Sequence, residues 1–180
     1  MMMLSGISII LALVYFNQSN QSDMTSRNEC RSIENDKPLK VMVNLPDEIS
    51  IGQPCEIKVD IKNISGSSVL VNKRLSVGYQ NSLSRELYIS ICEKGSSTDI
   101  GKQKVLYERQ FSPSSDFVWL LPEQQISTKF NLLDWYEIPS AGIYTIQVFY
   151  QADEKLAYKP DGLCGGTFCS EEKILTVKSE

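Results

Sequence analysis

Cys55-Glu56-Ile57-Lys58-Val59-Asp60-Ile61-Lys62 is the stretch that decides the fold. Cys55, Ile57, Val59 and Ile61 alternate one for one with Glu56, Lys58, Asp60 and Lys62. Side chains on an extended chain point to opposite faces at successive residues, so the apolar set shares one side and the charged set the other. A helix would scatter the same residues around its circumference. The stretch is therefore a half-buried strand, with one face in a core and one in water.

The same period recurs on either side. Leu39, Val41, Val43 and Leu45 share a face, and Pro46 closes that strand. Asn63 to Ser68 is a turn, and extended structure restarts over Val69 to Asn72. Further strands are expected over Glu86 to Cys92, Lys104 to Phe111, Asp116 to Leu121, Gln125 to Leu132, Gly142 to Ala152 and Lys173 to Lys178. No long window carries a helical apolar stripe. About eight or nine short strands separated by polar, Pro- and Gly-bearing turns predict an all-β sandwich or barrel.

Length and composition fit one such domain. The chain has 180 residues, 42% hydrophobic, enough for a single core. Its formal net charge is −4, from 18 basic and 22 acidic residues that are interspersed. A nucleic-acid partner would call for a basic face, which is absent. Lys73, Arg74 and Arg85 are too few to make one. Histidine is missing altogether. That excludes imidazole acid–base chemistry, Ser-His-Asp and Cys-His nucleophiles, and zinc sites that need imidazole.

The N-terminus differs from the rest. Leu4 to Phe16 is an uncharged apolar run, shorter than the about 20 residues needed to span a bilayer as a helix. It has the length of a signal-peptide core, although no Lys or Arg precedes it and no Ala-x-Ala site follows. Residues 1–22 are read as a signal peptide or membrane anchor, the anchor lying within 1–16. Residues 23–37 are read as a polar linker and 38–180 as the folded domain. This implies export, to a periplasm, cell envelope or medium, with membrane contact only through the N-terminal segment. Asn17, Asn20 and Asn63 each begin an N-x-Ser sequon.

Two motifs carry a resemblance. Pro139-Ser140-Ala141-Gly142-Ile143-Tyr144-Thr145-Ile146-Gln147-Val148 resembles the entry to the penultimate strand of immunoglobulin-like and fibronectin-III-like domains. Leu45-Pro46 to Asn63, with Ile51-Gly52-Gln53-Pro54 inside it, is similar to the opening of bacterial extracytoplasmic immunoglobulin-like modules. The resemblance covers Pro38 to Glu180. It implies an antiparallel β-sandwich in which Tyr144 packs inward and bonds the backbone just upstream, a tyrosine corner. It implies nothing about activity, since this fold carries many functions. No cysteine stands two residues after Tyr144, so the antibody-type disulfide is not expected.

Of five cysteines, Cys164 and Cys169 bracket Gly-Gly-Thr-Phe in the last loop. In an exported chain this spacing is read as a disulfide, restricting the unfolded chain by about 2 kcal/mol. Such a ring either staples a glycine-rich connection or presents Leu163, Thr167 and Phe168 to a partner. Cys55 lies on an inward face, and the pairing of Cys30, Cys55 and Cys92 is left open. Trp119, amid Val118, Leu120 and Leu121, is expected in the core. Trp135 and Tyr136, beside Asp134 and Glu137, are the expected exposed aromatics and join the candidate contacts.

No catalytic set is found. Ser170-Glu171-Glu172-Lys173 matches S-x-x-K, but it leads into a strand and lacks its companion motifs. Asp153/Glu154 and Glu171/Glu172 are neighbours whose side chains diverge on a strand, unlike a glycosidase pair. Asp134, Glu137, Asp153 and Asp161 lack calcium-loop spacing. No metal or cofactor is called for. The expectation is a non-catalytic interaction or accessory domain for a protein or glycan. The alternative is an inhibitor of an extracytoplasmic hydrolase acting through the Cys164–Cys169 loop.

Overall fold

A computed structural model describes residues 37–78, 86–104, 114–151 and 160–179. Residues 1–36, Arg85, most of the expected strand at 104–111, and Asp153 with Glu154 lie outside the described residues. Lys37–Glu180 forms one compact unit.

The first sheet is built on the alternating stretch. Strand β3 (Glu56–Asn63) pairs antiparallel with β1 (Leu39–Asn44) on one side and with β8 (Gln125–Asn131) on the other. Ile57, Val59 and Ile61 point inward and are fully buried, with Val41 and Val43 beside them. The opposite face carries ion pairs, Lys58 with Asp60 at 3.0 Å and Lys129 with Glu56 at 3.1 Å. The Lys129–Glu56 pair is exposed and contributes little by itself, and the Lys58–Asp60 pair is half-buried. They keep a charged face in water while the other builds the core.

The second sheet is centred on β10 (Gly142–Gln151). Strand β5 (Leu87–Glu93) pairs antiparallel with one edge. Strands β12 (Lys173–Lys178) and β11 (Thr167–Cys169) follow each other along the other edge. Between them Ser170 interrupts the ladder. Its N–H donates to the Val148 carbonyl at 2.8 Å, and its Oγ accepts from the Val148 N–H at 3.1 Å. The serine of the S-x-x-K match is thus a buried ladder residue, not a nucleophile in a cleft.

One chain edge laces the sheets together. After β1, the segment Leu45-Pro46-Asp47 crosses over, and β2 (Glu48–Ser50) pairs parallel with β12 of the second sheet. Proline suits the crossing because it has no N–H to leave unpaired. On β10, the Tyr144 hydroxyl donates to the Ser140 carbonyl at 2.7 Å, closing a tyrosine corner. The fold is an immunoglobulin-like β-sandwich. Its core joins the inward faces of both sheets, with Ile57, Val59 and Ile61 meeting Ile89, Ile91, Ile146 and Val148.

A ribbon of β4 (Val69–Asn72) and β7 (Phe117–Leu120), and a shorter one of β6 (Lys102–Gln103) with β9 (Tyr136–Glu137), complete the architecture. A single helical turn, α1 (Leu132–Trp135), ends β8 and is capped by Asn131. The described residues hold twelve strands, more than periodicity gives. Strands β2, β6, β9 and β11 are two or three residues long, too short for an alternation to register.

Strand β5 departs from the one-wet-face expectation. Leu87 to Cys92 are all buried, including Tyr88, Ser90 and Cys92 on the outward side. There Tyr88 stacks on Phe149 with ring centroids 4.4 Å apart and planes within 2°. Such pairs add about 0.5–1.5 kcal/mol beyond burial.

Candidate functional site

The residues proposed from sequence as partner contacts do not form a surface. Tyr136 is buried: its hydroxyl donates to the Gly78 carbonyl at 3.1 Å and accepts from the Ile89 N–H at 3.2 Å. Trp135 is half-buried and packs on the core. Phe168 is only 3% exposed and lies in the core, tilted against Tyr150 at 6.3 Å. Leu163 is also buried, bridged to Leu70 of β4. Thr167 is half-buried, its carbonyl accepting from Lys37 Nζ at 2.7 Å. The physical reason is parity: β11 adds to β10 in register, which turns Phe168 inward opposite Tyr150.

The expected Cys164–Cys169 bridge is not formed, because Cys164 is not in a disulfide. Cys169, by contrast, is disulfide-bonded. The loop is held instead by backbone, Cys164 N–H donating to the Leu70 carbonyl at 2.9 Å. Cys55 is inward and buried as its spacing implied, and burial pushes its thiol up to about 11, so it stays protonated.

The tryptophans exchange the places expected of them. In the β4–β7 ribbon, Val69 faces Leu120 and Val71 faces Val118, and these pairs turn toward the core. Trp119, opposite Leu70, must point the other way and is 54% exposed. Leu121, two residues on, is 53% exposed, and Phe117, two residues back, is half-buried. Local hydrophobicity around Trp119 misleads; only pairing with β4 reveals which side it takes.

The Trp119 ring rests against the turn at 160–163, which Leu163 N–H closes on the Pro160 carbonyl at 3.2 Å. A Cβ on Gly162 would come within 3.0 Å of the ring, and Gly162 has φ of +81°, so glycine is required twice over there. Asp161, beside it, is exposed. The result is an aromatic side chain backed by a turn, with the exposed Asp161 next to Gly162 in that turn.

A buried polar node fixes this ribbon from below. Glu86, 3% exposed, accepts from Arg74 through Nη2 at 2.6 Å and Nε at 3.2 Å, from Asn72 Nδ2 at 3.1 Å and from the Ser76 N–H at 2.9 Å. Asn72, the last residue of β4, also exchanges backbone bonds with the Tyr150 hydroxyl, at 3.0 and 3.2 Å. Sequence reading missed Glu86: a lone acid before a strand looks solvated, and its arginine lies twelve residues upstream.

Other candidates resolve plainly. Asn63 of the third sequon is fully buried, donating to the Ser67 and Leu120 carbonyls at 2.8 and 2.9 Å, and so is a structural residue of the fold. Asp134 accepts from Asn131 Nδ2 at 2.9 Å. Among the described residues no group of three or more Cys, Asp or Glu is gathered to hold a metal.

No protein-family model matches the chain, and no curated protein does. Among solved structures it is similar to the CARDB domain of the PF1109 protein from Pyrococcus furiosus in complex with di-metal ions. That likeness has 17% identity over 78% of this chain and 87% of that one, with a TM-score of 0.37. Native alpha-2-macroglobulin from Escherichia coli, from domain MG7 to the C-terminus, gives 13% identity over 79% of this chain and 17% of that one, TM-score 0.44. A beta-glucosidase from Listeria innocua in complex with isofagomine gives 13% over 79% and 16%, TM-score 0.37. Likenesses this distant carry nothing about activity, ligand or partner. The fold assignment rests on the strand pairing described above.

Proposed function

We propose that this chain is a non-catalytic module of the cell envelope or secreted space that binds a glycan through the Trp119 face. The observation that carries the reading is a large aromatic ring held in water by a rigid turn. Leaving such a ring in contact with water forgoes hydrophobic free energy that a ligand covering it would recover. An indole offers a flat apolar face and an N–H donor, and the turn against it carries the exposed Asp161 as a further acceptor; a pyranose ring has the matching C–H face and hydroxyls. The face is small. Trp119 and Leu121 are its exposed large apolar residues. A standard protein interface needs about 800 Å² per partner around a dry centre, so a sugar is the better match.

The absence of histidine and the structural role of Ser170 support a non-catalytic reading. The apolar run at Leu4 to Phe16 supports export. No helix of the described residues is long and apolar enough to cross a membrane. The hydrolase-inhibitor alternative needs a Cys164–Cys169 loop with Phe168 projecting, and the unbridged Cys164 and buried Phe168 leave it without support.

The test is binding of the full chain to an array of cell-wall and extracellular polysaccharides, followed by Trp119→Ala. The variant should keep its thermal midpoint and lose affinity for the bound glycan by about tenfold or more. Glycan binding unchanged in the variant, or an array with no binding, would remove this reading.

A further inference from the structure

We infer that two copies of this chain pair through their β8 edges, antiparallel about a twofold axis, joining two three-stranded sheets into one. This surface is separate from the Trp119 face and does not depend on it.

The register of β3 with β8 sets which main-chain groups are free. Asn63 N–H donates to the Gln124 carbonyl at 2.9 Å and Leu132 N–H to the Cys55 carbonyl at 2.8 Å, at the two ends of the ladder. Hydrogen-bonded pairs alternate along an antiparallel ladder. Ile126, Thr128 and Phe130 therefore bond to β3, while the N–H and C=O groups of Ser127 and Lys129 point away from it. Among the described residues β8 pairs only with β3. A free edge of this kind is a template for another strand.

Side chains on the same strand indicate what would occupy it. Ile126 and Phe130 turn inward yet stay half-buried, whereas their β3 partners Ile61 and Ile57 are fully buried. The core thus ends raggedly at this edge. A second copy centred on Thr128 would set Ser127 opposite Lys129 and Phe130 opposite Ile126, in both directions at once, as an isologous contact requires. Each Phe130 would then cover the other copy's Ile126. The charges agree. Ser127 Oγ and Gln125 Nε2 hold Asp60 on the outer face, so Lys129 of the second copy would arrive beside an acid. Lys129 is now paired only with Glu56, at an exposed site.

Sedimentation velocity of the full chain over a wide concentration range reads the association directly. Ser127→Pro removes an outward N–H without touching the β3 ladder, as proline is tolerated on edges. It should weaken the dimer by about tenfold or more. Amide exchange of the wild-type chain gives a reading free of any folding defect: Ser127 and Lys129 should exchange quickly when dilute and at least about tenfold more slowly when concentrated. A chain that stays monomeric, a dimer that Ser127→Pro leaves intact, or Ser127 and Lys129 amides indifferent to concentration would each overturn the inference. The last result would leave the edge open to a strand of a different protein.

Discussion

Phe168→Ala should destabilise the domain by about 3–5 kcal/mol, read as a lowered midpoint in urea unfolding. The ring is buried beside Tyr150, and nothing near it can collapse into the space, because β11 is locked to β10 by its register. The Lys37 ammonium, 5.7 Å from the ring centroid, would lose its partner as well. Were Phe168 a contact residue on an exposed loop, the same change would alter stability by less than about 0.5 kcal/mol. The two accounts of the 163–169 segment therefore differ in a measurement that needs no ligand.

Glu86→Ala should cost about 3 kcal/mol in the same assay. The carboxylate accepts four hydrogen bonds, from Arg74, Asn72 and Ser76, within a site nearly closed to water. Removing it takes away at once the acceptor that Arg74, Asn72 and the Ser76 N–H share in the buried node, and breaking such a pair costs more than its net worth. Arg74 is partly exposed, which holds the figure at the lower end of the range for buried pairs. Breaking the exposed Lys178–Glu48 pair, at 2.8 Å, should by contrast cost under about 1 kcal/mol. A similar loss for both would mean that Glu86 is solvated.

Much of the sandwich is legible in the sequence because its long strands carry enough residues to show their period. Strand β3 declares both faces, and the residues around Tyr144 specify a corner whose hydrogen bond lies where the motif implies. Facing within short strands is another matter. Whether Phe168 or Tyr136 turns in or out depends on a register one residue wide, set by partners far away in the chain. Trp119 fails for the same reason, since its apolar neighbours on both sides suggest a core that only one parity enters. The C-x4-C spacing allows a ring without requiring one, and the backbone bond to Leu70 holds the loop without it. The double burial of β5 has no sequence mark at all: Tyr88, Ser90 and Cys92 read equally well as a wet face.

Hydroxyl-radical footprinting of the native chain, read residue by residue by mass spectrometry, tests most directly which aromatic side chains face water. Trp119 should be oxidised fast, with Phe168, Tyr136 and Tyr144 protected until the domain unfolds. Phe168 labelled as quickly as a protected Trp119 is slow would reverse the facing of β7 and β11, and with it the site built on them.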